Sequence, residues 1–159
     1  MPQGTVGRCA PRRAGGNYEV VHGTQLVADL VRQGRISMAK TVDMDLAYHD
    51  PCYLGRHNDV FVAPREVVDA VGTRVEMPRN GTKAFCCGAG GGKMWFEEQT
   101  GKKVNIERTE EAVGCGTDVI ATGCPFCYVM MDDGVKEVGA DEQVLVHDIA
   151  MLLADRTLG

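Results

Sequence analysis

Five of the seven cysteines in this 159-residue chain fall into three groups: Cys52, then Cys86-Cys87 after 33 intervening residues, then Cys124-Pro125-Phe126-Cys127 after 36 more. The thiolate is the form of cysteine that binds metals and attacks disulfides, so thiols dispersed in this way are useful only if folding gathers them. Three chemistries compete for such a set. Structural zinc prefers four ligands in short-spaced pairs, and a vicinal pair plus a fifth thiol fits one tetrahedral ion awkwardly. Sulfur-only ligation with a thiolate to spare suits an iron–sulfur cluster better. A thioredoxin-type dithiol needs only the C-x-x-C and leaves the other three thiols unexplained. The iron–sulfur reading leads, and a zinc-stabilised interaction module without redox activity is the alternative.

The run Gly88-Ala89-Gly90-Gly91-Gly92-Lys93 follows the vicinal pair directly. A dinucleotide fingerprint would need Gly at position 93, and a P-loop would need Ser or Thr where Met94 stands, so phosphate binding is rejected as its main use. Glycine lets backbone approach closely and aim N–H groups at an anionic centre. Gly88, Gly90 and Gly91 are therefore the expected backbone contacts of a cofactor. Lys93 and Arg56 are candidates to offset its charge, although solvated surface cations are the commoner case.

The elements that must position these groups are read from the apolar pattern. From Asp45 onward short apolar runs alternate with helical patterns, the signature of an α/β fold with a mainly parallel sheet and flanking helices. Leu46-Ala47-Tyr48 reads as a buried strand running into His49-Asp50-Pro51-Cys52. A helix is expected over 64–71 with Pro64 at its first position. A weak strand is expected at Val75-Glu76-Met77, a helix over Val104–Val113 ending at Gly114, and a strand over Asp118–Thr122. A helix from about Pro125 to Val138, a strand beginning at Val144–Val146 and a helix over 148–155 complete the pattern. Each cysteine group thus falls just after a strand, on loops at the carboxyl ends of a parallel sheet, where separate loops meet. Cys124 stands near a helix N-cap and Cys127 in its first turn, where free N–H groups favour thiolate.

One internal echo adds organisation. Val20-Val21-His22-Gly23-Thr24-Gln25-Leu26-Val27-Ala28-Asp29 resembles Leu145–Asp155 once one residue is allowed as an insertion, each reading as strand, histidine, amphipathic helix. Chance likeness of two strand–helix segments is the competing reading. Residues 1–16 look irregular, and residues 17–44 read as the tail of a preceding unit plus a linker. Residues 45–159 then form one complete unit.

Composition narrows the function classes. A net charge of -5 gives no support for binding nucleic acid or acidic membranes. The 44% hydrophobic content argues against disorder, and no apolar stretch of about 18 residues is present to span a bilayer. Residues 1–16 lack the apolar run of a secretory signal, so the cytoplasm is the expected compartment and the thiols are expected to be reduced. Ser37, the only serine, sits in no nucleophile-elbow context, which argues against serine hydrolase chemistry.

The runs His49-Asp50-Pro51-Cys52-Tyr53-Leu54-Gly55-Arg56, Phe85-Cys86-Cys87-Gly88-Ala89-Gly90-Gly91-Gly92 and Cys124-Pro125-Phe126-Cys127 resemble the cysteine-rich CCG domain. That domain usually occurs twice in tandem in heterodisulfide reductase and in related iron–sulfur subunits of glycolate, lactate and glycerol-3-phosphate oxidation systems. Ala63-Pro64-Arg65 and Asn105-Ile106-Glu107-Arg108 are similar to the longer membrane-associated reductases of the group. The resemblance implies a 4Fe–4S centre, in some members non-cubane, with Cys52, Cys86, Cys87, Cys124 and Cys127 as ligands. It implies electron transfer linked to disulfide or quinone chemistry, with other oxidoreductase subunits, an electron-transfer flavoprotein among them, as partners. Attachment at the inner face of the cell membrane would then come through partners. Only one full cysteine set is present, so residues 17–44 read as the remainder of a preceding CCG repeat, and a complete catalytic cycle by this chain alone is not expected.

The remaining residues carry less. His49 and His147 each end a strand beside an Asp, where the ring either donates to a cluster sulfur or plays a structural part, the latter favoured. His22 and His57 carry no signal. Cys115 on its Gly114-Gly116 turn and Cys9 are expected to be non-ligands. Val129, Met130 and Met131 read as core, and Trp95 and Phe96 as ordinary core residues, with packing over the cluster as the other use.

Overall fold

Two uninterrupted apolar runs set the frame of the sheet. In this computed structural model, which describes residues 8–9, 18–37 and 43–157, Asp45–His49 forms β3 and Val119–Thr122 forms β5. From Leu46 and from Val119 onward every residue of the two strands is buried, as expected of parallel strands covered on both faces. Before them, β1 (Arg8–Cys9) pairs antiparallel with β2 (Tyr18–Glu19), and α1 (Gly23–Arg32) follows. Helix α2 (Val62–Val71) and strand β4 (Thr73–Val75) come after β3, then α3 (Val104–Val113). After β5 come α4 (Pro125–Glu137), β6 (Leu145–Asp148) and α5 (Ile149–Thr157).

The main sheet has the order β4-β3-β5-β6, all parallel. The chain steps from β3 to β4 on one side and then crosses to β5 on the other, so the direction of winding reverses between β3 and β5. In open α/β sheets the crevice beyond the strand ends at such a reversal is where ligands bind. His49 and Thr122 are register partners at that edge.

Alternation along the strands divides the core. Leu46, Tyr48, Val119 and Ala121 face α1, α2 and α5, packing with Ala28, Val67, Val68, Leu152 and Leu153. Ala47, Ile120 and Val146 face α3 and α4 and meet Ala112, Met131 and Val135 in a cluster that also contains Cys87 and Cys127. The cysteine site is therefore continuous with one half of the core. Helices α3 and α4 approach closely because Gly134 lies against Thr109. No helix among the described residues is long and apolar enough to cross a membrane.

Several boundaries differ from the expectation. Helix α2 starts at Val62, which makes Pro64 its third residue; the first N–H groups of a helix have no internal partner, so proline costs little there. Strand β4 lies two residues earlier than Val75–Met77, because the Thr73 N–H bonds the Met44 carbonyl at 3.0 Å and starts the ladder there. Met77 instead fills the core. Ahead of α1, Val20-Val21-His22 is not strand. His22 caps the helix: its ring accepts the Thr24 N–H while Gln25 reaches back to the His22 backbone. In the echoing segment the cap is Asp148, which accepts the Ala150 N–H, so the extra residue of the echo is the capping group. Apart from Arg8 and Cys9, the irregular stretch expected over 1–16 lies outside the described residues.

Candidate metal centre

Three loops leave the carboxyl edge of the sheet and carry the cysteines to one place. Cys52 is the third residue after β3, in a tight run of turns where the Gly55 N–H bonds the Pro51 carbonyl and the His57 N–H bonds the Cys52 carbonyl. The Cys86-Cys87 pair arrives from β4 through a longer loop, held in place by Arg79. That guanidinium lies 4.0 Å from the Phe85 ring centroid and ion-pairs with Glu107 and Glu111 of α3. Arg56 donates to the Ala84 carbonyl, tying the Cys52 loop to the same segment. Cys124 is the N-cap of α4, with Pro125 opening the helix and Cys127 in the first turn.

The thiols lie close enough to interact in sequence, Cys86 with Cys87, Cys87 with Cys127 and Cys127 with Cys124. Cys52 lies close enough for its charge to raise the Cys86 pKa. Cys52, Cys86, Cys87, Cys115, Cys124 and Cys127 are free thiols. Cys115 stands apart at the end of α3, its thiol donating to the Glu111 carbonyl at 3.2 Å.

The thiols ionise unequally. Donors from Cys127, Cys86, His49 and the Ala89 N–H converge on the Cys87 sulfur and lower its pKa strongly despite burial. The Cys124 pKa is pulled down to about 6, by the Cys127 thiol first and then by the Cys127 and Phe126 N–H groups at the helix N-terminus. Cys86 and Cys127 are pushed up because each keeps its proton and directs the S–H at a neighbouring sulfur. Metal binding displaces the protons that remain on such thiols.

Beside the thiols stands His49. Its ring, 1% exposed, lies with a ligating nitrogen within 4.8 Å of the Cys87 and Cys127 sulfurs, and burial lowers its pKa so that the neutral ring prevails. Thr122, its register partner, is wholly buried and its hydroxyl has no partner among the described residues. A buried polar group left unpaired costs free energy, and an anionic sulfur cofactor beside it would supply the missing acceptor. This orphan hydroxyl and the surplus of thiols fit a sulfur-ligated cluster better than a single tetrahedral ion.

Residues Gly90–Trp95 form 3-10 turns interrupted by a kink at Gly91 and Gly92, at φ +67° and +76°, and Gly88 ahead of them has φ +94°. The Gly88 N–H points at the Cys86 sulfur at 3.3 Å and the Ala89 N–H at the Cys87 sulfur. Gly90 and Gly91 lie farther along, with open space around them. Trp95 and Phe96 are not core residues: they are 76% and 77% exposed and border an open cleft of about 590 Å³ that reaches Gly88 and Met130. The kinks at Gly91 and Gly92 turn this segment outward. Val129 is likewise exposed on α4, whereas Met131 is fully buried and Met130 packs against the core. Lys93 pairs with Glu98 at the surface. His147 sits half-buried on β6 with its Nδ1 unpartnered among the described residues.

Sequence reasoning gave Arg108 no role, yet it is the largest wholly buried side chain among the described residues, and its Nε donates to His49 Nδ1 at 3.0 Å. A signal was present. Asn105, Arg108, Thr109 and Ala112 form the buried face of α3, so polar residues occupy the helical spacing usually given to apolar ones.

Comparison with known proteins agrees with this geometry. The chain is 44% identical over 143 residues to the probable iron-sulfur-binding oxidoreductase FadF of Bacillus subtilis, covering 89% of this chain and 20% of that protein. It is 43% identical over 147 residues to the EtfAB:quinone oxidoreductase of Syntrophomonas wolfei, covering 87% and 21%. It is 37% identical over 140 residues to a subunit of the dihydromethanophenazine:CoB–CoM heterodisulfide reductase of Methanosarcina barkeri, covering 87% and 34%. The chain therefore spans about a fifth to a third of the length of these relatives. The model of the CCG cysteine-rich domain matches residues 46–132, a span that contains all five gathered cysteines, and the chain belongs to that family.

Proposed function

We propose that the chain is an iron–sulfur electron-transfer module of a larger oxidoreductase, with Cys52, Cys86, Cys87, Cys124 and Cys127 ligating a 4Fe–4S centre of cubane or non-cubane form. The observation that carries this reading is the convergence of four interacting thiols, Cys86, Cys87, Cys127 and Cys124, with Cys52 alongside, at the point where the sheet reverses its winding. Such a centre supplies one-electron transfer. The residues of the chain hold it, orient it and set its potential: the Gly88 and Ala89 N–H groups donate to its sulfurs, and hydrogen bonds of this kind tune reduction potential.

By analogy with the named relatives, electrons would pass between a flavoprotein or dehydrogenase partner, an electron-transfer flavoprotein being the leading candidate, and a quinone or disulfide acceptor. The module would not complete a catalytic cycle alone. Residues 17–44 fit the tail of a preceding CCG repeat joined by a linker to the complete domain at 45–159. Operation in the cytoplasm, brought to the membrane through partners, is consistent with this role.

Anaerobic purification followed by iron, acid-labile sulfide and zinc analysis tests the proposal. About four iron and a matching amount of sulfide per chain are expected for this cluster type. Stoichiometric zinc without sulfide would replace it with a zinc-stabilised, non-redox interaction module.

A further inference from the structure

His49, Cys87 and Cys127 place three potential ligand atoms within 4.8 Å of one another, an arrangement that invites a metal bound by two sulfurs and one imidazole. The far side of the ring argues otherwise. His49 Nδ1 lies 3.0 Å from Arg108 Nε, which donates to it. A guanidinium offers five N–H donors and no acceptor, so Nδ1 must present its lone pair there. The proton of the neutral ring is then on Nε2, the nitrogen left over for the interaction of the ring with Cys87. A ligating histidine needs the reverse, because its metal-bound nitrogen gives up a lone pair while the other nitrogen passes its proton to a carboxylate, carbonyl or water.

We infer that His49 is not a ligand but an N–H donor to the Cys87 sulfur of the cluster, with Arg108 fixing the tautomer that makes it so. The inference rests on the iron–sulfur reading of the five-cysteine site and assigns His49 and Arg108 as positioning residues within it. Arg108 is itself anchored. Its Nη1 donates to the Arg79 carbonyl at 2.9 Å and lies 3.1 Å from a Glu111 carboxylate oxygen, and the whole side chain is inaccessible to solvent. A line of contacts thus runs Glu111, Arg108, His49, Cys87, from a carboxylate on α3 to a sulfur at the sheet edge. Hydrogen bonds to cluster sulfur draw off negative charge and favour the reduced state, so the pair should raise the potential.

Pulsed EPR on the unsubstituted protein, with its histidines labelled with nitrogen-15 and the cluster reduced, reads the assignment directly. Weak nitrogen coupling and an exchangeable proton near the cluster are expected; strong coupling of a directly bound nitrogen would overturn it. His49→Leu should keep the iron and sulfide content of the unsubstituted protein while lowering the one-electron reduction constant about tenfold, or about 59 mV. His49→Gln, which retains an N–H, should restore part of the shift, and Arg108→Met should lower the potential in the same direction. Iron loss in His49→Leu equal to that in Cys87→Ser, with strong nitrogen coupling in the unsubstituted protein, makes His49 a ligand. Unchanged potentials in both His49→Leu and Arg108→Met leave only a structural contact and overturn the inference. If the unsubstituted protein holds no iron and sulfide, the parent reading fails first and takes this one with it, an outcome distinct from the others.

Discussion

Asp50 accepts both terminal nitrogens of the Arg65 guanidinium, at 2.6 and 2.8 Å, and its Oδ2 also takes the backbone N–H of Gly81 at 2.8 Å. One carboxylate at the end of β3 thereby ties α2 to the loop that delivers Cys86 and Cys87. Its side chain is only 3% exposed and that of Arg65 15%, so the pair is shielded and its geometry matters.

Removing one member of a buried pair leaves the other charge stranded, at a cost of about 3–5 kcal/mol. Asp50→Asn should fall at the lower end, about 3 kcal/mol, because Glu76 stays 2.7 Å from Arg65 Nε. Anaerobic urea unfolding measures it. A loss under about 1 kcal/mol would mean the pair behaves as an exposed one.

Gly134 is the contact point of α3 and α4, where an added Cβ would collide with Thr109 Oγ1 and lie 3.1 Å from Thr109 Cβ. Alanine gains about 1 kcal/mol of helix propensity over glycine, but overpacking typically costs about 1–3 kcal/mol. A contact this close decides the sign. Gly134→Ala should be destabilising by about 1–2 kcal/mol in urea unfolding, and adding Thr109→Ala should recover part of it. A stabilised Gly134→Ala protein would show that the helices separate freely.

Gly88 and Gly91 both have positive φ, but their surroundings differ. A Cβ on Gly88 would meet Asn105 N and Val104 Cβ at 3.2 Å, whereas one on Gly91 meets nothing within 4 Å. Left-handed backbone costs a residue with a side chain about 1–2 kcal/mol, and Gly91→Ala should lose no more than that and keep the visible chromophore. Gly88→Ala must shift the backbone next to Cys87 and should lose much of the chromophore. Equal spectra for the two variants would contradict this distinction.

The cysteines can be separated by the same absorbance. Cys86→Ser or Cys87→Ser should abolish the chromophore, while Cys115→Ser, whose hydroxyl can keep the bond to the Glu111 carbonyl, should leave it intact. Equal loss in all three would undo the assignment of ligands.

How much of this was legible in the sequence follows from the range of each interaction. Strands β3 and β5 were readable because burial on both faces demands unbroken apolar runs, and Cys52 and Cys124 were readable because they come just after those strands, whereas Cys86-Cys87 is delivered by a longer loop that starts at Val75. Arg108 and His49 are 59 residues apart, and nothing local in either segment announces their meeting. The tie from Asp50 to Gly81 is equally remote, at 31 residues. Trp95 and Phe96 misled for another reason: hydrophobicity argues for burial, but the left-handed glycines before them carry the chain out of the core. His22 went unread because histidine is an uncommon cap, although Gln25 three residues on is the usual partner in a capping box.

The central claim is that five remote sulfurs hold one inorganic cluster, and the Mössbauer spectrum of the anaerobically reconstituted chain, loaded with isotopically enriched iron, tests it most directly. Iron in sulfur-ligated, magnetically coupled sites is the predicted result. Isolated ferrous ions with nitrogen or oxygen ligands, or no bound iron at all, would contradict it.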